Sequence, residues 1–375
     1  MSQLKVNSIV DAAGGSSAVL YGVASPPNSM GFRNRLINSD MRIDQRNAGA
    51  SVTVNSGGDF YAVDRWPASG ESADGVFTVQ RSSIAPAGFT NSLLATVTTA
   101  DASIGATQRY FVEQKIEGFN VADLGFGSAN AQTVTLSFWV RSSVTGTFGG
   151  TLANGSNRYY PFSYTINAAN TFEQKTITIA GDTTGTWNTG NGMGIELLFS
   201  LGCGSSRKGT AGAWTSSVFL APTGSADLIA TNGATFFITG VQLEAGTVAT
   251  PFERRDYGRE LIMCQRYFQR LDMNDGAGLV GMAGSSTFGL VQYPLPVVMR
   301  AAPSALGTTG VASDYRFRYG GATFSLASAV PAIASATTSL VRIDTNVASG
   351  LTAGNVVVLS GAAASSVFLT FSAEL

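Results

Sequence analysis

The sequence predicts an all-β protein, built chiefly as a two-sheet sandwich. Three observations predict it. Apolar residues recur at every second position in several runs, which is the period of a half-buried strand. Clusters of Gly, Asn, Ser and Thr separate those runs and supply turn chemistry. The composition agrees: 44% of residues are hydrophobic, only 13% are charged, and 44 are glycine, well above the average share of about 7%. At 375 residues the chain has room for two domains and a terminal arm.

The elements follow in order. Residues 1–30 lack a core-forming pattern, though Leu4, Val6 and Ile9 could add a small strand to a neighbour. Gly14–Ser17 and Pro26-Pro27-Asn28 are linker chemistry, so this stretch reads as an extended arm that orders against something else. Strand signals begin at Phe32. In the clearest strand Val134, Leu136, Phe138 and Val140 alternate with Thr135, Ser137, Trp139 and Arg141. Met193, Ile195, Leu197, Phe199 and Leu201 form another apolar face. Val76–Arg81, Leu93–Thr98, Tyr110–Ile116 and Phe172–Ile179 are further strands. Asn154–Asn157, Gly181–Gly185 and Thr189–Gly192 are turns between them.

The run Phe236–Leu243 predicts a strand covered on both sides. Phe237, Val241 and Leu243 are expected on one face, with Phe236 and Ile238 on the other. Gly246 ends it, and Thr250-Pro251 forces an extended step. From Asp256 to Arg270 a helix places Leu261, Cys264, Phe268 and Leu271 on one side. That stripe has two readings: packing on its own β domain, or meeting its symmetry mates as a short bundle between two β layers. The stripe is too short for a coiled coil alone, and the symmetric version is favoured. Beyond Met273 charge becomes sparse, and strands at Thr287–Tyr293, Tyr315–Tyr319, Leu340–Asp344, Val356–Leu359 and Val367–Phe371 predict a second, smaller sandwich.

Several residue strings carry a resemblance. Asn34–Asn38, Met41-Arg42-Ile43, Gln45-Arg46 and Asp64-Arg65-Trp66 resemble the opening of a domain found in bacteriophage tail fibres and related virion proteins. Gln242-Leu243-Glu244, Gly246, Thr250–Glu253, Glu260 and Cys264–Phe268 resemble its close. Leu4–Ile9 resembles the short N-terminal signature of many tail fibres. Together these cover about residues 1–270 and leave the remainder uncovered. The resemblance implies a carbohydrate-binding-module-like jelly roll over residues 31–255. It is preceded by a virion-attachment arm over 1–30, and followed by a connecting helix over 256–272 and a C-terminal β domain over 273–375. It also implies a homotrimer, docked through Leu4, Val6 and Ile9 on other tail or baseplate proteins. The expected location is then the exterior of a virion, after synthesis in a host cytoplasm.

The chemistry that is missing narrows the function. The chain has no histidine, which removes Ser-His-Asp and Cys-His catalysis and His-dependent metal sites. Two cysteines, Cys203 and Cys264, supply neither a disulfide framework nor a four-cysteine zinc site, and both are expected reduced and apolar in role. No phosphate-binding Gly-Lys-Ser/Thr loop occurs. A net charge of −1 argues against nucleic acid, and Arg254-Arg255, Arg207-Lys208 and Arg316/Arg318 read as solvated or interfacial pairs. No run approaches the ~20 apolar residues of a membrane span, and no apolar signal segment opens the chain. No cofactor is expected. Calcium held by loop carbonyls and carboxylates is the one metal left open, with Asp182 and Asp227 as notional ligands.

Binding chemistry remains. Sugars present CH-rich faces to flat aromatic rings and hydroxyls to amides and charged groups. Trp187 stands in the polar loop Thr186–Asn191 beside Asn188, and Tyr159 and Tyr160 follow Asn157-Arg158. Trp139 and Arg141 share the polar side of their strand. The ordinary alternative for Trp187 is a cap on the sandwich or a subunit interface. For Trp139 it is cover by another segment. Trp66 reads as a structural anchor, with Arg65 available to stack on a ring, and Trp214 is left undecided. A carboxylate pair could in principle cleave glycosidic bonds, but Glu113/Lys115 and Glu173/Lys175 read as cross-strand pairs on a solvated face. The expectation is a non-catalytic adhesin that binds host surface glycans. The alternatives are a non-adhesive head-fibre, decoration, collar or baseplate protein and, less favoured, a polysaccharide-degrading tailspike.

Overall fold

Period-two alternation places the strands, and a computed structural model shows how they stack. It describes residues 32–71, 73–275, 277–320, 323–362 and 367–375. Leu4, Val6 and Ile9 therefore lie outside the described residues. Asn34–Leu375 hold together as one unit. The strands of its first part are β1 (Val52–Val54), β2 (Phe60–Val63), β3 (Trp66–Gly70), β4 (Val76–Ser82), β5 (Ser92–Thr99) and β6 (Arg109–Glu117). They continue as β7 (Val134–Ser142), β8 (Gly146–Ala153), β9 (Tyr159–Ile166), β10 (Glu173–Ile179), β11 (Met193–Cys203), β12 (Lys208–Gly209), β13 (Ala221–Pro222) and β14 (Thr235–Ala245). Two six-stranded sheets result. The front sheet runs β1-β4-β5-β14-β7-β10 and the back sheet β2-β3-β6-β11-β8-β9.

All pairings within these two sheets are antiparallel, and the connections cross between sheets, giving the sandwich that the alternation predicts and the jelly roll that the resemblance implies. Leu136, Phe138 and Val140 of β7 meet Ile195, Leu197 and Phe199 of β11 in one buried core. Phe138 and Phe199 pack edge to face at 5.0 Å between centroids.

The residues of the opening and closing motifs serve this sandwich. The Asn34 amide donates to the Val241 carbonyl at 2.9 Å, and its oxygen accepts from the Leu243 N–H. Gln114 grips the Ile37 backbone from both sides, accepting at 2.7 Å and donating at 2.8 Å. Glu244 receives the Thr250 N–H at 2.9 Å, and Gln242 receives the Glu253 N–H at 2.7 Å. Arg255 donates to the Leu36 carbonyl and lies beside Glu253 and Glu260. Burial pushes the Glu260 carboxyl upward, while Arg255 and the Asn38 N–H pull it back. These polar groups satisfy the backbone of residues 34–46, which has no sheet of its own. Trp66 is fully buried, and Arg65 stacks on Tyr267 at 3.6 Å.

Two expectations are corrected here. The helix α1 spans Tyr257–Gln265, capped by the Asp256 side chain on the Arg259 N–H, and does not reach Arg270. Phe268 and Leu271 belong to a strand, β15 (Phe268–Met273). Cys264 is fully buried in its own chain with Ile37, Ile43 and Tyr267, and Leu261 packs against the same cluster. Phe268 is buried too. The stripe Leu261/Cys264/Phe268/Leu271 is thus not one helical face. The second correction concerns β14. A register shift between Thr239 and Gln242, with Gly240 at φ +59°, is a bulge that flips the alternation. Phe236, Ile238, Val241 and Leu243 all join the core, and Phe237 points out of the front sheet.

The C-terminal strands are β16 (Gly278–Ala283), β17 (Phe288–Pro294), β18 (Leu306–Gly307), β19 (Tyr315–Tyr319), β20 (Thr323–Leu326), β21 (Ala332–Ala336), β22 (Leu340–Asn346), β23 (Val356–Gly361) and β24 (Val367–Ser372). Seven form a sheet in the order β20-β19-β23-β16-β17-β22-β21, and β15-β24-β18 form a three-stranded partner. Phe317, Val341, Ile343, Leu359 and Phe371 lie in the core between them. Arg46 and Arg65 of the first part reach Glu374, and Arg266 pairs with Glu117 at 2.9 Å.

Candidate functional site

The predicted sugar-binding residues fall in three places. Trp187 closes one end of the sandwich. Its ring meets Phe126 at 4.8 Å and Trp214 at 5.4 Å, both edge to face, and its indole N–H donates to the Thr184 carbonyl. Tyr160 points inward, is buried, and packs on Trp214 at 5.3 Å. Asn188 is exposed but turns back to accept the Gly190 N–H. Beneath this cluster Arg158 holds Asp182 with two charge-assisted bonds at 2.5 and 2.9 Å. Asp227 is bound by Lys208 at 2.7 Å. Both notional calcium ligands are thereby occupied by cations, and no group of three potential metal ligands occurs among the described residues.

The second place is the outer face of the front sheet. Phe138 and Val140 enter the core, so Trp139 and Arg141 must leave it on the opposite side. Register sets Thr239 and Gln174 on either side of Trp139. In the next row Arg141 stands opposite Phe237, its guanidinium 4.9 Å from that ring and 5.8 Å from Phe172. Phe89 arrives from the loop between β4 and β5. A Cβ built on Gly240 would sit 2.5 Å from Phe89 Cζ and 3.2 Å from Trp139 Cδ1, so both rings converge on this bulge. Trp139, Arg141, Phe172 and Phe89 are half-buried, and Gln174 is exposed. The result is a shelf of aromatic faces interleaved with amide and guanidinium donors.

The same shelf continues into a cleft of about 220 Å³ bordered by Phe89, Thr90, Arg42 and Arg254. Arg254 lies over Phe89 at 4.8 Å and Phe252 at 5.7 Å, and donates to the Gly88 carbonyl at 2.6 Å.

The third place is the back sheet. Tyr159 lies on its outer face, and burial raises its hydroxyl above the ordinary range with help from Glu196. Beside it Glu113 is buried, which corrects the expectation of a solvated face. Its lysine partner is two residues along the same strand rather than across it: Lys115 lies 3.2 Å away, as Lys175 lies 2.6 Å from Glu173. Burial pushes the Glu113 carboxyl well up, and the neighbouring Glu196 pushes it the same way.

Trp139 and Arg141 are therefore the predicted pair that the fold keeps together. Phe89, Phe172, Phe237 and Gln174 join them and were absent from the sequence-based candidates. The signal for Phe237 was Gly240, since a glycine inside a strand marks a bulge. Phe89 had no local signal, because only the tertiary fold brings its loop to β14.

No protein-family model matches the chain, and no curated protein matches it. Solved structures give distant likenesses. One is the enzymatically active domain of bacteriophage CBA120 tailspike protein 4: 15% identity, 48% of this chain and 19% of that one covered, TM-score 0.29. Another is the family 11 carbohydrate-binding module of Clostridium thermocellum in complex with a mixed-linked tetrasaccharide: 11% identity, 54% and 100% covered, TM-score 0.28. A third is the xylan-binding domain of Paenibacillus barcinonensis Xyn10C: 12% identity, 54% and 99% covered, TM-score 0.27. The chain spans about a fifth of the tailspike's length, and these likenesses assign it no activity.

Proposed function

We propose that this chain is a glycan-binding structural protein of a bacteriophage virion, a homotrimeric tail fibre or tail-associated adhesin that works without catalysis. The observation that carries the binding role is the front-sheet shelf. Trp139, half-buried on the outer face, offers aromatic surface for a pyranose ring to stack on. Arg141 and Gln174, one on its own strand and one on the neighbour, supply donors to sugar hydroxyls. The rings of Phe237 and Phe172 hold the Arg141 guanidinium in place, which lowers the ordering cost of binding. Single-site contacts of this kind are weak, and three copies on one fibre add them through avidity.

The non-catalytic part rests on the carboxylates. Glycosidases hold two carboxyl groups roughly 5–9.5 Å apart so that a sugar carbon or a water fits between them. Glu113 is buried and ion-paired with Lys115 at 3.2 Å, which takes it out of reach of a ligand. The other acids near the candidate rings, Asp182 and Glu173, are engaged by Arg158 and Lys175.

Self-association is supported by the C-terminal sheet. Val280 and Val356 keep 66% and 67% of their surface exposed, with Met282 and Phe324 near half. Pairing aligns Val280 with Val358 and Met282 with Val356 across two strands. A stripe of this kind on a sheet face marks a protein contact. The same stripe favours a second reading, a virion protein devoted to protein contacts alone. Binding of the purified chain to host surface polysaccharide separates the two. The adhesin binds and loses that binding in W139A, while W187A retains it. A chain that ignores the polysaccharide at every concentration is the purely structural one, and new reducing ends in the mixture would overturn the non-catalytic assignment.

A further inference from the structure

Arg254 is built as a receptor group without a carboxylate of its own. The acids near it are already matched. Asp40 lies 2.5 Å from Arg42 Nε, and Glu253 and Glu260 face Arg255. Arg254 instead has the Phe89 and Phe252 rings 4.8 and 5.7 Å from its guanidinium carbon and, among the described residues, a single carbonyl acceptor, Gly88 O. Arg81 likewise donates only to a carbonyl, that of Arg42, at 2.9 Å. The edge of the Arg254 guanidinium thus keeps unused donors in a fixed orientation, the arrangement that grips a planar anion through paired bonds. It does so at the border of a cleft of about 220 Å³ whose walls also carry Arg42, Arg255, Thr90 and the Asp40 carboxylate, the last neutralised by Arg42. Phe89 is the shared wall: one part of the ring meets Arg254, and its Cζ edge reaches Gly240 beside Trp139. A saccharide lying on Trp139 therefore carries its neighbouring residue toward this cleft.

We propose that the Arg254 cleft receives an anionic substituent, a carboxylate or sulfate ester, of the saccharide bound on the Trp139 shelf. This rests on the glycan-binding reading above and narrows its ligand class to acidic glycans. The preference is electrostatic, so it weakens with salt, whereas stacking on Trp139 does not depend on charge.

The test is calorimetric titration of the full chain with four probes: a glucuronate-containing tetrasaccharide, the same tetrasaccharide with its carboxyls reduced, a sulfated tetrasaccharide, and sodium sulfate. At low salt the acidic sugars should bind at least about tenfold tighter than the reduced one, the yield of one good charge-assisted contact. R254Q should erase that gap and leave neutral binding intact. Thr90 is exposed at the cleft, and T90E, which places a competing carboxylate there, should do the same. A gap that survives in both variants, or equal binding of acidic and reduced sugars, overturns the proposal. Sodium sulfate binding as tightly as the sulfated sugar would make this a site for free anions and remove the saccharide assignment. If acidic and neutral sugars bind equally and W139A abolishes both, the shelf stands and only the cleft fails. If no sugar binds at all, the glycan-binding reading fails with it.

Discussion

Two sheet faces are open among the described residues, and they differ in kind. The front face of the sandwich mixes Trp139, Phe172 and Phe89 with Arg141, Gln174 and Thr239. The outer face of the C-terminal sheet is aliphatic along its centre, with Val280, Met282, Val356 and Val358 in register. Its charges sit at the flanks and pair among themselves, Arg342 with Asp344 and Arg316 with Asp275. An aromatic-and-polar face suits a ligand that has both CH-rich planes and hydroxyls. An aliphatic stripe suits another apolar surface. The same β architecture thereby separates glycan contact from protein contact, and the distinction lies in side-chain chemistry at alternate positions, which the backbone does not determine.

The largest expected effect tests the aliphatic face. V280D/M282D places two charges on an exposed surface and leaves the buried core untouched. It should convert the assembly to monomers in sedimentation velocity while sugar binding per chain is unchanged. A trimer that persists would remove this face from the interface.

W139A comes next. Loss of a central aromatic anchor should cost about 2 kcal/mol or more, roughly thirtyfold in glycan affinity, with no change in sedimentation. Equal affinity would shift attention to the Trp187 end cluster.

G240A probes the bulge that turns Phe237 outward. The left-handed φ is costly for alanine by roughly 1–2 kcal/mol, and the new methyl would meet Phe89 Cζ at 2.5 Å. Both lower stability and weaker glycan binding are expected, since the ring must move. Unaltered binding in a folded G240A variant would show that Phe89 is no part of the shelf.

The smallest effect separates the front face from the acid pair behind it. Glu113 holds its proton more tightly in the fold than in the unfolded chain. Its contribution therefore favours the fold at acid pH and is lost as pH rises from the ordinary carboxyl range through its elevated pKa. E113Q keeps a donor toward Glu196 without the ionisation, so its melting temperature should exceed the parent's by on the order of 2 °C at pH 8 and match it at pH 4. Glycan binding should be unaffected at either pH. A reversed pH trend would show that the fold does not raise the Glu113 pKa.

Much of this was legible in the sequence. Strong alternation located β7 and β11, and it set Trp139 and Arg141 apart from Phe138 and Val140. The motif residues Asn34, Gln242 and Glu244 stood out because their side chains satisfy backbone groups. The helix was overread, since Phe268 and Leu271 fit a 3.6-residue period as well as a two-residue one. Pairing with Val367–Ser372, about a hundred residues away, decided for a strand. The faces of β14 were misread for want of the Gly240 bulge. Trp187 and Tyr160 looked available in a polar loop, yet Phe126 and Trp214 converge on them from distant segments. Nothing local announces contacts between residues so far apart in the chain.

Hydroxyl-radical footprinting of the side chains, with and without the host surface polysaccharide, tests the central claim most directly. Bound glycan should protect Trp139, Phe172 and Phe89 and leave Trp187, Trp214 and Tyr159 as reactive as before. Protection confined to Trp187 and Trp214, with Trp139 unchanged, would contradict it.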